Sequence, residues 1–150
     1  MKFNMNQGKI IIVLSDGCPE SLKVYYQFRN KKDLQELDDQ TISVFEIKNC
    51  EHEKQELFRA ENCFQVWLKE KEKTYYVFTY SQIVFNYFRI MVKEKKLKPE
   101  QLQILWIDFD NLRETEQVMQ TELSVDQDGF LPHWPVDMFR ISDDLLSMLL

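Results

Sequence analysis

The sequence predicts a single α/β domain over residues 1–150, with a sheet of about five or six strands, at least partly parallel, flanked by helices. Three observations predict it. Short runs of β-branched and aromatic residues recur along the chain, each closed by turn-forming residues. Two segments between those runs carry apolar residues at three- and four-residue steps, as helices with one buried face do. Strands alternating with helices in this way build a layered α/β fold. At 150 residues, one domain that buries roughly two-thirds of its unfolded surface is the default.

The elements follow in order. Lys9 to Leu14 is an apolar run closed by Asp16-Gly17 and reads as a short buried strand. Leu22 to Phe28, with Val24, Tyr25, Tyr26 and Phe28, has the composition of a second strand. The polar stretch Arg29 to Gln40 reads as a short helix or a loop, and Thr41 to Ile47 returns to strand character. Glu53 to Glu70 is a helix whose stripe is Leu57, Ala60, Phe64, Trp67 and Leu68. After the charged cluster 69–73, Thr74 to Thr79 is nearly continuous Tyr, Val and Phe, which fits a strand buried on both faces. Ser81 is placed to cap the next helix, with Ile83, Val84, Tyr87, Phe88, Met91 and Val92 on its apolar face.

Beyond Pro99, Leu102 to Phe109 is a strand that ends in Asp108-Phe109-Asp110. Glu116 to Val125 is another strand, closing at Asp126-Gln127-Asp128-Gly129. A final helix starts at Ser142, with Asp143 and Asp144 in its first turn and Leu145, Leu146, Leu149 and Leu150 apolar.

Composition removes several functions. There are 3 glycines, Gly8, Gly17 and Gly129, each alone. A P-loop or a dinucleotide fingerprint needs clustered glycines, so the chain is not expected to hold a nucleoside triphosphate by itself, and no cofactor is implied. With 25 acidic against 19 basic residues the net charge is -6, which disfavours nucleic-acid binding driven by overall charge. Ile10 to Leu14 is too short for a membrane span or a signal core. Three cysteines, Cys18, Cys50 and Cys63, cannot all pair. Cytoplasm is the expected compartment.

From Thr74 onward the order of motifs is more specific. Tyr76-Val77-Phe78-Thr79-Tyr80-Ser81 ends a strand before a helix, and Lys96-Leu97-Lys98-Pro99-Glu100 turns into Ile104-Leu105-Trp106-Ile107-Asp108. Asp126-Gln127-Asp128-Gly129 then precedes Trp134-Pro135 and Phe139. This series resembles the C-terminal region of bacterial ABC-type ATPases of the OLD-like (overcoming lysogenisation defect) and RecF/SMC-like group. The resemblance implies that Ile42 to Glu46 is the counterpart of the Walker B strand. It also implies that Glu46, Asn49, Thr79, Tyr80 and Ser81 occupy nucleotide-loop positions, and that Asp128, Gly129, Trp134, Pro135 and Phe139 form the turn and a docking surface.

Departures from that pattern bear on function. The family's histidine, expected at the γ-phosphate, is Tyr80 here, and a phenol cannot supply the same cation. Its catalytic glutamate falls near Asn49, which is no carboxylate base. The resemblance therefore implies a degenerate ATPase half without catalysis. Its expected partner is a P-loop ATPase subunit or a second copy, in a bacterial defence or mobile-element system; the alternatives are a Mg²⁺-dependent nuclease using Glu46, Asp108 and Asp110, and a structural or binding domain unrelated to ATPases.

Other groupings admit two readings each. Tyr80-Ser81 is a relic nucleotide-sensing loop or simply a strand end and helix cap. Glu46 with Asp108 and Asp110 resembles the Mg²⁺ site of Toprim nucleases, or Asp108-x-Asp110 is a solvated acidic turn. Cys50-x-His52 with Cys63 lacks the paired spacing of structural zinc. Lys93, Lys95, Lys96 and Lys98 suit a helix C-terminus in water as well as a phosphate. Trp134, between Pro132 and Pro135, is a core residue or a docking residue.

Overall fold

Apolar runs at Ile10–Ser15 and Thr74–Thr79 dictate where the fold begins, because every one of their residues is buried. A strand buried on both faces belongs in the middle of a parallel sheet, and the computed structural model places them there. It describes residues 8–15, 27, 42–48, 52–109, 118–133 and 148–149. The strands are β1 (Ile10–Ser15), β2 (Ile42–Ile47), β3 (Thr74–Thr79), β4 (Leu102–Phe109) and β5 (Val118–Ser124). The long helices are α1 (Glu53–Lys69) and α2 (Gln82–Lys93), and a 3-10 turn at Pro99–Gln101 leads into β4.

The five strands form one sheet in the order β2-β3-β1-β4-β5. β1 pairs in parallel with β3 and β4, and β2 in parallel with β3, while β5 runs antiparallel to β4. The α/β class and the partly parallel sheet therefore match the sequence reading. β1 lies between β3 and β4, so the region from Thr74 onward cannot close its sheet without the N-terminal strand.

Alternation sorts the side chains. Ile10, Ile12 and Leu14 join Tyr75, Val77, Ile104 and Trp106 in one core cluster with Ala60, Phe64 and Trp67 of α1 and Phe85 and Phe88 of α2. Ile11, Val13, Tyr76 and Phe78 on the other face are buried too. Each large apolar side chain so buried contributes roughly 1.5–3 kcal/mol.

One helix expectation and one strand expectation are refined. In α1 the buried residues are Glu56, Ala60, Cys63, Phe64 and Trp67. Leu57 and Leu68 remain 39% and 37% exposed, so the core stripe is rotated away from them. At 100° per residue Ala60 and Trp67 lie on one side, and Phe58, 62% exposed, lies on the opposite one. Of the expected strand Leu22 to Phe28 only Gln27 is described, and its backbone is helical rather than extended. Arg29 to Gln40 lie outside the described residues, as does the final helix except for Met148 and Leu149, which are helical.

α2 begins and ends by recognisable chemistry. Ser81 is its N-cap, with its hydroxyl accepting from the Val84 N–H at 3.3 Å, as the sequence predicts. At the other end the Lys96 N–H donates to the Met91 carbonyl at 2.9 Å and the Lys95 N–H to Val92 at 3.0 Å. That is a Schellman ending, whose left-handed position glycine usually fills. Here it is Lys95, at φ 64°.

Replacing Lys95 with glycine removes the steric cost of a left-handed side chain, about 1 kcal/mol. Chemical denaturation of Lys95→Gly should show a higher midpoint with an unchanged slope. A lower midpoint would contradict this account of the helix end.

Candidate functional site

The strand order itself nominates a location. β1 is followed by β2, which lies beyond β3, whereas β3 is followed by β4 on the far side of β1. Connections from neighbouring strands thus leave in opposite directions, and open α/β sheets bind ligands outside the carboxyl ends of strands at such a switch point. Here the strand ends are Leu14-Ser15 and Thr79-Tyr80, with Leu14 in register with Thr79. Ser15, Thr79 and Ser81 are buried, and Tyr80 is partly buried.

Three of the residues singled out in sequence meet there. The Thr79 hydroxyl donates to the Ile47 carbonyl of β2 at 2.6 Å and accepts from the Ser81 N–H at 3.0 Å. Ser81 in turn caps α2 through Val84. A continuous hydrogen-bonded path therefore runs from the end of β2, through the end of β3, into the first turn of α2. Phosphate binding at a helix start relies on N–H groups turned toward the ligand, and the Ser81 and Val84 amides instead point at side-chain oxygens of the chain itself.

The other positions are distributed differently. Glu46 is in register with Phe78, one residue short of the strand end, and its carboxylate lies 3.6 Å from the Lys48 ammonium. It lines a cavity of about 330 Å³ beside the edge strand, together with Phe45, Ile47, Arg59, Cys63 and Val66. Two strands, β3 and β1, separate β2 from β4. Three strand spacings separate the strands of Glu46 and Asp108 by about 14 Å. The register aligns Glu46 with Leu105, so Asp108 stands three residues further on and out of phase. The structure does not bring this pair together. Asn49, Asp110, Trp134, Pro135 and Phe139 lie outside the described residues.

Cys63 and His52 are likewise apart. His52 precedes the first turn of α1, and Cys63 is eleven residues along, about 16 Å at 1.5 Å per residue. Burial pushes the Cys63 thiol up to about 12 from its ordinary 9.0, away from the thiolate a metal or a nucleophile requires. Among the described residues no group of three or more metal-ligating side chains occurs. None of their helices is long and apolar enough to cross a membrane.

Asp128 and Gly129 belong to a turn docked on α2. The Asp126 carboxylate accepts from the Asp128 and Phe130 N–H groups at 2.9 and 3.0 Å, so Asp126 organises the turn and Asp128 is an exposed member. Gly129 has φ +78°, and a Cβ there would come 2.4 Å from the Arg89 carbonyl oxygen. Its own carbonyl accepts from Arg89 Nε at 2.8 Å. Arg89 also donates to Asn86 at 3.0 Å and lies 5.0 Å from the centre of the Phe85 ring. Sequence reasoning missed Arg89, although a signal existed: it is the single charged residue between Ser81 and Val92. It missed Ser15 as well, for a polar residue closing an apolar strand carries no distinguishing pattern.

A scan against family models, a search of curated proteins and a search of solved structures each return no match.

Thr79→Val keeps the side-chain shape but removes both hydrogen bonds, leaving the buried Ile47 carbonyl and Ser81 amide without their partner. The loss should be about 1–3 kcal/mol, measured by urea unfolding, and Thr79→Ser should recover most of it. Equal stability of Thr79→Val and the parent would refute the role given to this hydroxyl.

Proposed function

We propose that this chain is a non-catalytic, degenerate relative of the C-terminal region of ABC-type ATPases that works through protein contacts. Under this reading it acts in the cytoplasm, beside a P-loop ATPase subunit or a second copy of itself, in a bacterial defence or mobile-element system. One observation carries it. At the switch point, where a nucleotide-binding α/β protein turns donors outward, the Thr79 hydroxyl and the Ser81 and Val84 amides are engaged with one another and with β2. Among the described residues, these polar groups hold strands and helix together.

What the chain does expose supports contact rather than chemistry. Phe58 stands on the outer side of α1, Leu57, Val66 and Leu68 are half-exposed elsewhere on the same helix, and Val44 is exposed on the edge strand. Apolar groups displayed over one helix and the adjoining sheet edge mark interaction surfaces more often than catalytic ones. The spacing of Glu46 and Asp108 gives no support to a metal-dependent nuclease.

Affinity purification from the native host tests the proposal, together with ATP turnover by the purified chain. The expected result is stoichiometric recovery of an intact P-loop ATPase or of the chain itself, with no turnover. ATP hydrolysis that disappears on Tyr80→Phe or Asn49→Ala would overturn it.

A further inference from the structure

Edge strand β2 and the flank of α1 beside it enclose the cavity of about 330 Å³. From α1 come Arg59, Asn62, Cys63 and Val66, which recur at three- and four-residue steps and so share one flank of the helix. From β2 come Phe45 and Ile47, on the sheet face that packs against the helices. The Phe45 ring stacks on Tyr75 with centroids 5.9 Å apart, which fixes that wall, and Ile47 and Cys63 are buried. Burial pushes the Cys63 thiol up to about 12, so it stays neutral and adds apolar surface.

The polar groups are gathered at one end. β2 and β3 are parallel, so α1, which connects them, runs back from the carboxyl edge of the sheet. Arg59 therefore stands toward that edge, with Asn62 one turn on, and Val66 is about 10 Å beyond Arg59 along the helix. Among the described residues, no hydrogen bond or ion pair engages the Arg59 guanidinium or the Asn62 amide, and both residues are exposed. Glu46 also lines the cavity, but Lys48 offsets its charge at 3.6 Å. With that pair cancelling, one arginine leaves a single positive charge beside apolar walls.

Those features define an occupant. A guanidinium and an amide NH₂ are donors that a carboxylate accepts from, and the arginine makes the bond charge-assisted. One net positive charge suits a monoanion. A phosphate dianion would want a second cation and would meet the Glu46 carboxylate. At about 30 Å³ for each water-sized volume, the cavity holds about ten non-hydrogen atoms. Small-molecule sites of this kind are mostly apolar, with a few polar groups that fix orientation.

We infer that this cavity binds a small monocarboxylate with an apolar body, its carboxylate on Arg59 and Asn62 and its body between Phe45, Ile47, Cys63 and Val66. The site serves a small ligand and stands independently of the protein-contact reading above.

Titration of the ¹⁵N-labelled full chain with sodium phenylpropionate, to about 10 mM so that a millimolar site saturates, should move the amides of residues 45–47 and 59–66. Phenylpropanol has the body without the charge, and inorganic phosphate has charge without the body. Each should bind at least about tenfold more weakly, the worth of a hydrogen bond to a charged group. Arg59→Met replaces an exposed residue, so it should keep the parent's far-UV circular dichroism and lose at least about tenfold in affinity. Arg59→Lys, which keeps the charge, should recover part of that loss. No saturable shift with phenylpropionate, equal binding of phenylpropanol, or an unchanged affinity in Arg59→Met overturns the inference.

Discussion

Two bonds of one hydroxyl hold the carboxyl edge of this sheet together. Thr79 donates to Ile47 at 2.6 Å, which fixes the edge strand β2 to β3 beyond their ladder. It accepts from the Ser81 amide, which sets the backbone turn that makes Ser81 the cap of α2. α2 then carries Arg89 to the carbonyl of Gly129, anchoring the turn that follows β5. Strand edge, crossover helix and distal turn therefore depend on one another in sequence. All of it is buried or partly buried, where an unsatisfied polar group is costly.

Under the proposed reading, that dependence separates the fold from nucleotide chemistry. A switch point gives an α/β protein a place for a ligand, but it becomes a site only if donors and hydroxyls face outward. Here the same residue types face inward and act as joints. The shortage of glycine fits this picture. Gly129 stands where the Arg89 carbonyl leaves no room for a Cβ, while Lys95 occupies a left-handed position that glycine usually takes.

Much of the fold was legible because the signals are local. The unbroken apolar run Thr74–Thr79 announced a doubly buried strand, and Ser81 announced a helix start. The helix stripe of α1 was legible only approximately, since periodicity gives a face but not which edge of it meets the sheet. Leu57 and Leu68 fell on the open side. Strand order was not legible at all. Glu46 and Asp108 each stand one residue before a strand end, yet whether two strand ends converge depends on which strands lie between, and β3 and β1 do. The bridge at Thr79 escaped notice for a related reason, because its partner Ile47 is 32 residues away in sequence.

The central claim is that the polar groups at the carboxyl edge are committed to structure and do not receive a nucleotide. The most direct test follows the backbone amides of Thr79 to Val84 by ¹H–¹⁵N NMR while Mg²⁺ and ATP are titrated to millimolar concentration. The account predicts slow hydrogen exchange at Ser81 and Val84 and no saturable shift along this segment. Saturable shifts at Thr79, Tyr80 and Ser81 would contradict it.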